Sequence, residues 1–174
     1  MAKEIAGKFP PYFEQYANLV PQDDIVAAFQ AQQNHIDDFL ASIPEEKTET
    51  GYAPGKWTLK EMLQHIIDGE RIFCYRALCI ARNEKESLPG FEEDEYAAHA
   101  NANRRSWKEL INEFRIVRQG TIILFQSFDS EMLSRVGLAN NFEVSPGAIG
   151  FTIVGHLYHH LNVIESRYLL ETPL

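Results

Sequence analysis

The stretch Ser145-Pro-Gly-Ala-Ile-Gly-Phe-Thr-Ile-Val-Gly-His156-Leu-Tyr-His159-His160-Leu-Asn-Val-Ile-Glu-Ser-Arg-Tyr-Leu-Leu170 decides how this chain is read. Ser145 suits a helix N-cap, and Pro146 suits the first helical position, where a missing N–H costs nothing. Apolar residues recur at Ile149, Ile153, Leu157, Leu161, Ile164 and Tyr168, three or four apart. That spacing predicts a long amphipathic helix with one buried stripe. Three of the six histidines fall in this helix. On a 3.6-residue period His160 lies roughly 50° and His156 roughly 90° from the stripe, whereas His159 lies roughly 150° away and points outward. His156 and His160 are four apart, so their Cβ atoms are about 5–6 Å from each other on one face. Two imidazoles so placed can converge on one divalent ion, while a wetted histidine face is the competing reading. Two ligands do not hold a metal, so a third is needed.

Upstream, the capping box Thr58-Leu-Lys-Glu61 opens a helix that runs to about Arg82, with Met62, Ile66, Phe73, Ala77 and Ile80 facing inward. His65 sits at the edge of that face and supplies the third nitrogen. A His65/His156/His160 set leaves coordination positions open, as reactive rather than structural metal sites do. Asp68, one turn on, is a candidate to orient His65. Histidine suits zinc, nickel, iron and copper alike, so the ligand set does not name the metal. Cys74 and Cys79, five apart on the same helix, form neither a disulfide nor part of this set. His35 and His99 read as solvated.

Two more helices complete the pattern. One follows Pro21, capped by Asp23 or Asp24, with the stripe Ile25, Phe29, Ile36, Phe39, Leu40. Another spans roughly 103–128, with Trp107, Leu110, Ile111, Phe114, Thr121, Ile122 and Phe125 on one side. Arg118 falls inside that stripe. A buried charge is costly alone, so Glu70 of the preceding helix is its expected partner. Residues 1–20, with Pro10-Pro11 and four aromatics, read as an irregular arm that packs on the body and includes one helical turn. Residues 44–55 and 129–144 read as loops. Residues 83–96 read as an acidic crossover whose carboxylates are either a solvated surface or the rim of a cleft. Four long helices without a period-2 strand pattern predict an all-α fold, a four-helix bundle with a long crossover connection, formed by residues 1–174 as one domain.

Composition narrows the function. A net charge of −9 without a basic cluster argues against nucleic acid as a partner. No apolar run is long enough to span a membrane, and the first residues do not resemble a signal peptide, so a cytoplasmic location is expected. Phosphate loops and nucleophile elbows are missing from the sequence.

Trp57-Thr-Leu-Lys-Glu-Met-Leu-Gln-His65-Ile-Ile-Asp-Gly-Glu70-Arg71, Gly155-His156-Leu-Tyr-His159-His160 and Glu165-Ser-Arg167-Tyr168 resemble the DinB-like superfamily, especially its YfiT-like metal-dependent hydrolases. The resemblance implies an up-down-down-up helix order and a metal triad that falls on His65, His156 and His160. It implies a divalent cofactor, zinc or nickel, a small-molecule substrate and a homodimer. Relatives include thiol-dependent transferases, so a low-molecular-weight thiol is the expected co-substrate. A His₃ metal can ionise such a thiol, or activate water instead. Thiol transfer is favoured here because no carboxylate base is evident on the metal-facing side: Glu61 is committed to capping and Glu165 is remote. Hydrolysis and a non-catalytic metal- or ligand-binding module are the alternatives.

Overall fold

Each long helix begins where the sequence supplies an oxygen for its first amides. In the computed structural model, which describes residues 8–169, α2 (Ile25–Ser42) is capped by Asp24, whose Oδ1 accepts from Ala27 N at 2.8 Å. The next long helix, α3 (Leu59–Ala81), has the full capping box: Thr58 N donates to Glu61 Oε2 and Glu61 N donates to Thr58 Oγ1. A second capping box, Ser106 with Glu109, opens α5 (Trp107–Gln126). Ser145 accepts from Ala148 N at the start of α7 (Pro146–Val163), whose last turns widen into a π-helix over Ile164–Leu169. Shorter pieces fill the connections: α1 (Pro11–Ala17), α4 (Glu93–Ala100), α6 (Ser130–Ser134) and a hairpin of β1 (Gly137–Ala139) with β2 (Phe142–Val144).

The long helices form the expected bundle. Contacts advance together along α3 and α5 (Glu70 with Arg118, Cys74 with Thr121), so these two run parallel. They run in opposite senses between α2 and α5, where Asp37 meets Arg115 and Gln32 meets Arg118. The same holds between α3 and α7, where His65 meets His156 and Tyr168 Oη donates to Trp57 O. The order is therefore up-down-down-up, and residues 82–106 cross the length of the bundle.

Several expectations need correcting. The arm contains a seven-residue helix, α1, about two turns where one was expected. Residues 1–7 of the expected arm and Leu170 lie outside the described residues. The helix expected from 103 starts at Trp107, because the Ser106 cap takes precedence over the 3₁₀ turn at Ala102–Arg104. Residues 129–144 are not plain loop. Asn140 and Asn141 have φ of 50° and 63°, the two left-handed positions that close a two-residue hairpin. Helix α7 carries more than one buried stripe. All residues from Pro146 to Leu157 are buried, because α1, α2, α3 and α6 surround it.

The core has two apolar clusters, one around Phe29, Phe125, Phe151 and Ile153, the other around Leu40, Leu63, Trp107 and Phe114. A polar group lies between them. Arg118, fully buried, donates through Nε and Nη2 to both Glu70 carboxylate oxygens at 2.9 and 2.8 Å. Thr121 Oγ1 donates to Glu70 Oε1 at 2.6 Å. Arg118 Nη1 donates to Gln32 Oε1 at 2.6 Å, and Gln32 Nε2 donates to Val154 O at 2.8 Å. The guanidinium also faces the rings of Phe29 and Phe114.

Removing one member of such a pair strands a buried charge, at a cost of about 3–5 kcal/mol. Urea denaturation should show Glu70→Leu and Arg118→Leu each destabilised to that extent. The double variant should lose less than the sum of the two. Additive losses would contradict the coupling.

Candidate metal centre

Helices α3 and α7 bring His65, His156 and His160 together. Their ligand nitrogens all lie within 4.8 Å of one another. His156 Nε2 is 3.1 Å from His65 Nε2 and 3.0 Å from His160 Nε2. The three residues are 6 %, 7 % and 9 % exposed, so water offers little compensation. His159 is exposed, as its angle predicted, and His35 and His99 stand apart from the cluster.

Burial holds all three imidazoles in the neutral form near neutral pH. The His65 pKa falls to about 4, with Asp94 opposing the fall. The His160 pKa falls to about 3, with His65 and His159 adding to the burial effect, and that of His156 falls well below its ordinary value for the same reasons. A neutral ring nitrogen carries one proton or one in-plane lone pair. His156 Nε2 therefore cannot satisfy both close neighbours with well-directed hydrogen bonds. Three neutral nitrogens turned to one point fit a divalent cation, which uses all three lone pairs.

The surroundings explain the Gly155-His156 pairing. A Cβ on Gly155 would lie 1.9 Å from the carbonyl oxygen of Tyr16, so only glycine lets α1 pack this close to α7. That contact sets the Tyr16 ring edge-on against His156 and His159, with centroids 5.4 and 5.5 Å away. Trp57 flanks His65 at 4.8 Å. Tyr16 Oη lies 3.1 Å from Tyr12 Oη, and burial together with that bond pushes the Tyr16 pKa up.

Two clefts are lined by members of the cluster. One, of about 260 Å³, is lined by Tyr12, Tyr16, His65, Phe73, Arg76 and His156, with Glu92 and Glu93 at its rim. The other, of about 300 Å³, is lined by Trp57, Asp94, His159, His160 and Tyr168. The carboxylates arrive because the crossover is pinned to the hairpin: Leu88 N donates to Leu138 O, and Asn140 N donates to Leu88 O. The acidic crossover thus rims the clefts. Of the two readings the sequence left for these carboxylates, a solvated surface or the rim of a cleft, the second holds for Glu92, Glu93 and Asp94. Helix α4 escaped the sequence reading because it has no apolar stripe; Ala97 is its sole buried residue. Asp68 does not orient His65: its Oδ1 accepts from Gln64 Nε2, and it pairs with Arg71. Cys74, beside Thr121, has its thiol pushed up to about 12 by burial and takes no part in the cluster.

A four-helix bundle with three histidines converging from its second and last long helices defines a recognisable class. Residues 28–164 match the sequence profile of the DinB superfamily, and the chain belongs to that superfamily. It is similar to a protein of Oceanobacillus iheyensis whose name assigns it provisionally to the metal-dependent hydrolases, with 24 % identity over 166 residues, 91 % of this chain and 93 % of that one. Its fold is similar to that of YfiT from Bacillus subtilis, described as a probable metal-dependent hydrolase with an unusual four-helix bundle topology. The TM-score is 0.70 at 11 % identity, over 91 % of this chain and 87 % of YfiT.

Two outcomes follow for stability. The unfolded chain takes up protons near pH 6.5, whereas folded His65 takes one only near pH 4, so acid favours unfolding by about 3 kcal/mol at pH 4 from this residue alone. In chelator-treated protein, the urea midpoint should fall from pH 6.5 to 5, and fall less in His65→Gln; equal slopes would contradict this. Gly155→Ala should cost about 1–3 kcal/mol or more by forcing α1 away. An unchanged melting temperature would show that α1 accommodates the methyl group.

Proposed function

We propose that the protein is a metal-dependent hydrolase of the DinB/YfiT type acting on a small molecule. The observation that carries this reading is the convergence of three buried, neutral histidine nitrogens that line two clefts, one of them rimmed by Glu92 and Glu93 and the other lined by Asp94. His65, His156 and His160 would hold a divalent ion. When bound, such an ion polarises a substrate carbonyl and makes water acidic enough to attack near neutral pH.

The remaining steps belong to the protein's own side chains. Glu92, Glu93 or Asp94, reaching the clefts from the start of α4, would be the group to take up a proton there. Tyr16, kept protonated by burial and by Tyr12, can donate a hydrogen bond to an oxygen in the cleft. Phe13 and Phe73 give that cleft apolar walls, which strengthen every polar contact made inside it. The names of the two similar proteins agree with this reading. The sequence favours transfer to a low-molecular-weight thiol for want of a carboxylate; the carboxylates of α4 that line the clefts support hydrolysis instead.

Metal content of untagged protein tests the centre. About one divalent ion per chain should be found in wild type and in His159→Ala, and lost in His65→Ala, His156→Ala and His160→Ala. Loss in His159→Ala alone would overturn the ligand set. A panel of nitrophenyl esters then tests the chemistry: turnover without thiol, with a kinetic pKa near 7, is expected. Strict dependence on an added thiol would return the assignment to thiol transfer.

A further inference from the structure

Arg76 is the charged group of the first cleft that no protein anion answers. It lies three turns beyond His65 on the same face of α3, in the series His65, Gly69, Phe73, Arg76, and all four line the cleft. Its side chain is 5 % exposed. Nη2 donates to the Pro89 carbonyl at 2.5 Å, and the guanidinium sits 5.8 Å from the centroid of Phe91. Nε is enclosed with no acceptor. Among the described residues, no salt bridge reaches Arg76, in contrast to the other deeply buried guanidinium, Arg118, which has Glu70. Glu92 and Glu93 reach the same cleft from exposed positions at its rim, where water screens them.

A guanidinium does not shed its proton, so this is a permanent charge in an apolar setting. Buried charges are normally paired. The charge also faces a second space of about 320 Å³, walled by Pro10, Pro11, Phe13 and Phe142. Asn140, held in the hairpin turn, lines both spaces beside it and adds an amide.

We propose that Arg76 is the substrate-binding residue for an anionic group, a carboxylate in the first instance, on a substrate whose apolar portion lies along Phe13 and Phe73 and whose reacting group reaches the histidine cluster. The planar fork of arginine matches a carboxylate. Helix α3 thus carries both ends of the site, a histidine for the reacting group and an arginine for the anchor. The proposal rests on the first cleft being the active site.

Hexanoate and hexan-1-ol test it, since they differ in the carboxylate alone. Binding is measured by NMR titration of the full chain as purified and again after chelation, at pH 7.5. Wild type should bind hexanoate about ten-fold more tightly than hexan-1-ol in both forms. Arg76→Gln should bring the two ligands to parity while hexan-1-ol affinity is unchanged, which shows the cleft intact. Arg76→Lys, which keeps the charge and loses the fork, should retain part of the preference. Equal binding of the two ligands by wild type, or a full preference in Arg76→Gln, would overturn the proposal. Should Arg76→Gln not fold, wild type and Arg76→Lys decide it: no preference in the first, or an undiminished one in the second, overturns it. Because the chelated protein is included, a failure here is distinct from a failure of the metal centre, which metal content reads by itself.

Discussion

The charge of Arg118 has to be answered in a place water does not reach, and three helices are arranged to answer it. Its own helix is α5; the carboxylate comes from Glu70 on α3, and the amide oxygen comes from Gln32 on α2. Gln32 then passes the constraint to α7 through the Val154 carbonyl. A buried ion pair is poor evidence for net stability, because removing two charges from water offsets most of their attraction. What the network does supply is register. Apolar side chains would tolerate a helix sliding by a fraction of a turn, whereas a two-pronged carboxylate contact with a chain of amides behind it does not. Glu70 lies five residues from His65, and Val154 two residues from His156. The group that fixes the bundle therefore also fixes the distance between the two helices that supply the histidines.

The centre itself is a compromise with the core. Helix α7 is apolar nearly all round, as a central helix must be, yet it places two imidazoles where α3 and α1 close over them. Burial keeps those rings neutral and so keeps their lone pairs available. The same burial leaves His160 Nδ1 enclosed without a protein acceptor. Ring contacts flank two of the imidazoles, Trp57 against His65 and Tyr16 with Phe73 against His156.

Much of this was legible in the chain because it is local. Caps at Asp24, Thr58 and Ser145, the stripe positions and the i,i+4 histidines are written within one or two turns, and helix periodicity converts them directly into faces. The Glu70–Arg118 pair was also legible, since a charge inside an apolar stripe announces the need for a partner. What escaped was set by tertiary contact. The polar helix α4 has no stripe to betray it, and the carboxylates at its start reach the clefts only because Leu88 is stitched to the hairpin. The hairpin was marked by Asn140-Asn141, but strands of three residues are too short to show alternation. Arg76 resembles any arginine on a helix until the crossover passes over it. Asp68 was assigned to His65 by spacing, and a nearer amide, that of Gln64, claimed it.

The separation between the cluster's halves bears on how the protein is made. His65 and His156 are 91 residues apart in the chain. A ribosome moving at about 5–20 residues per second would release the α3 histidine several seconds before its partners exist. During that interval α2, α3 and α5 can already share the Arg118 network, apart from its link to Val154. The slot destined for α7 meanwhile stands lined with apolar side chains. In the finished fold α7 both fills the core and brings two of the three histidines to the third. A nascent chain that stops short of His160 lacks one of the three nitrogens, so the complete cluster is offered to passing metal ions only once most of the bundle has been made.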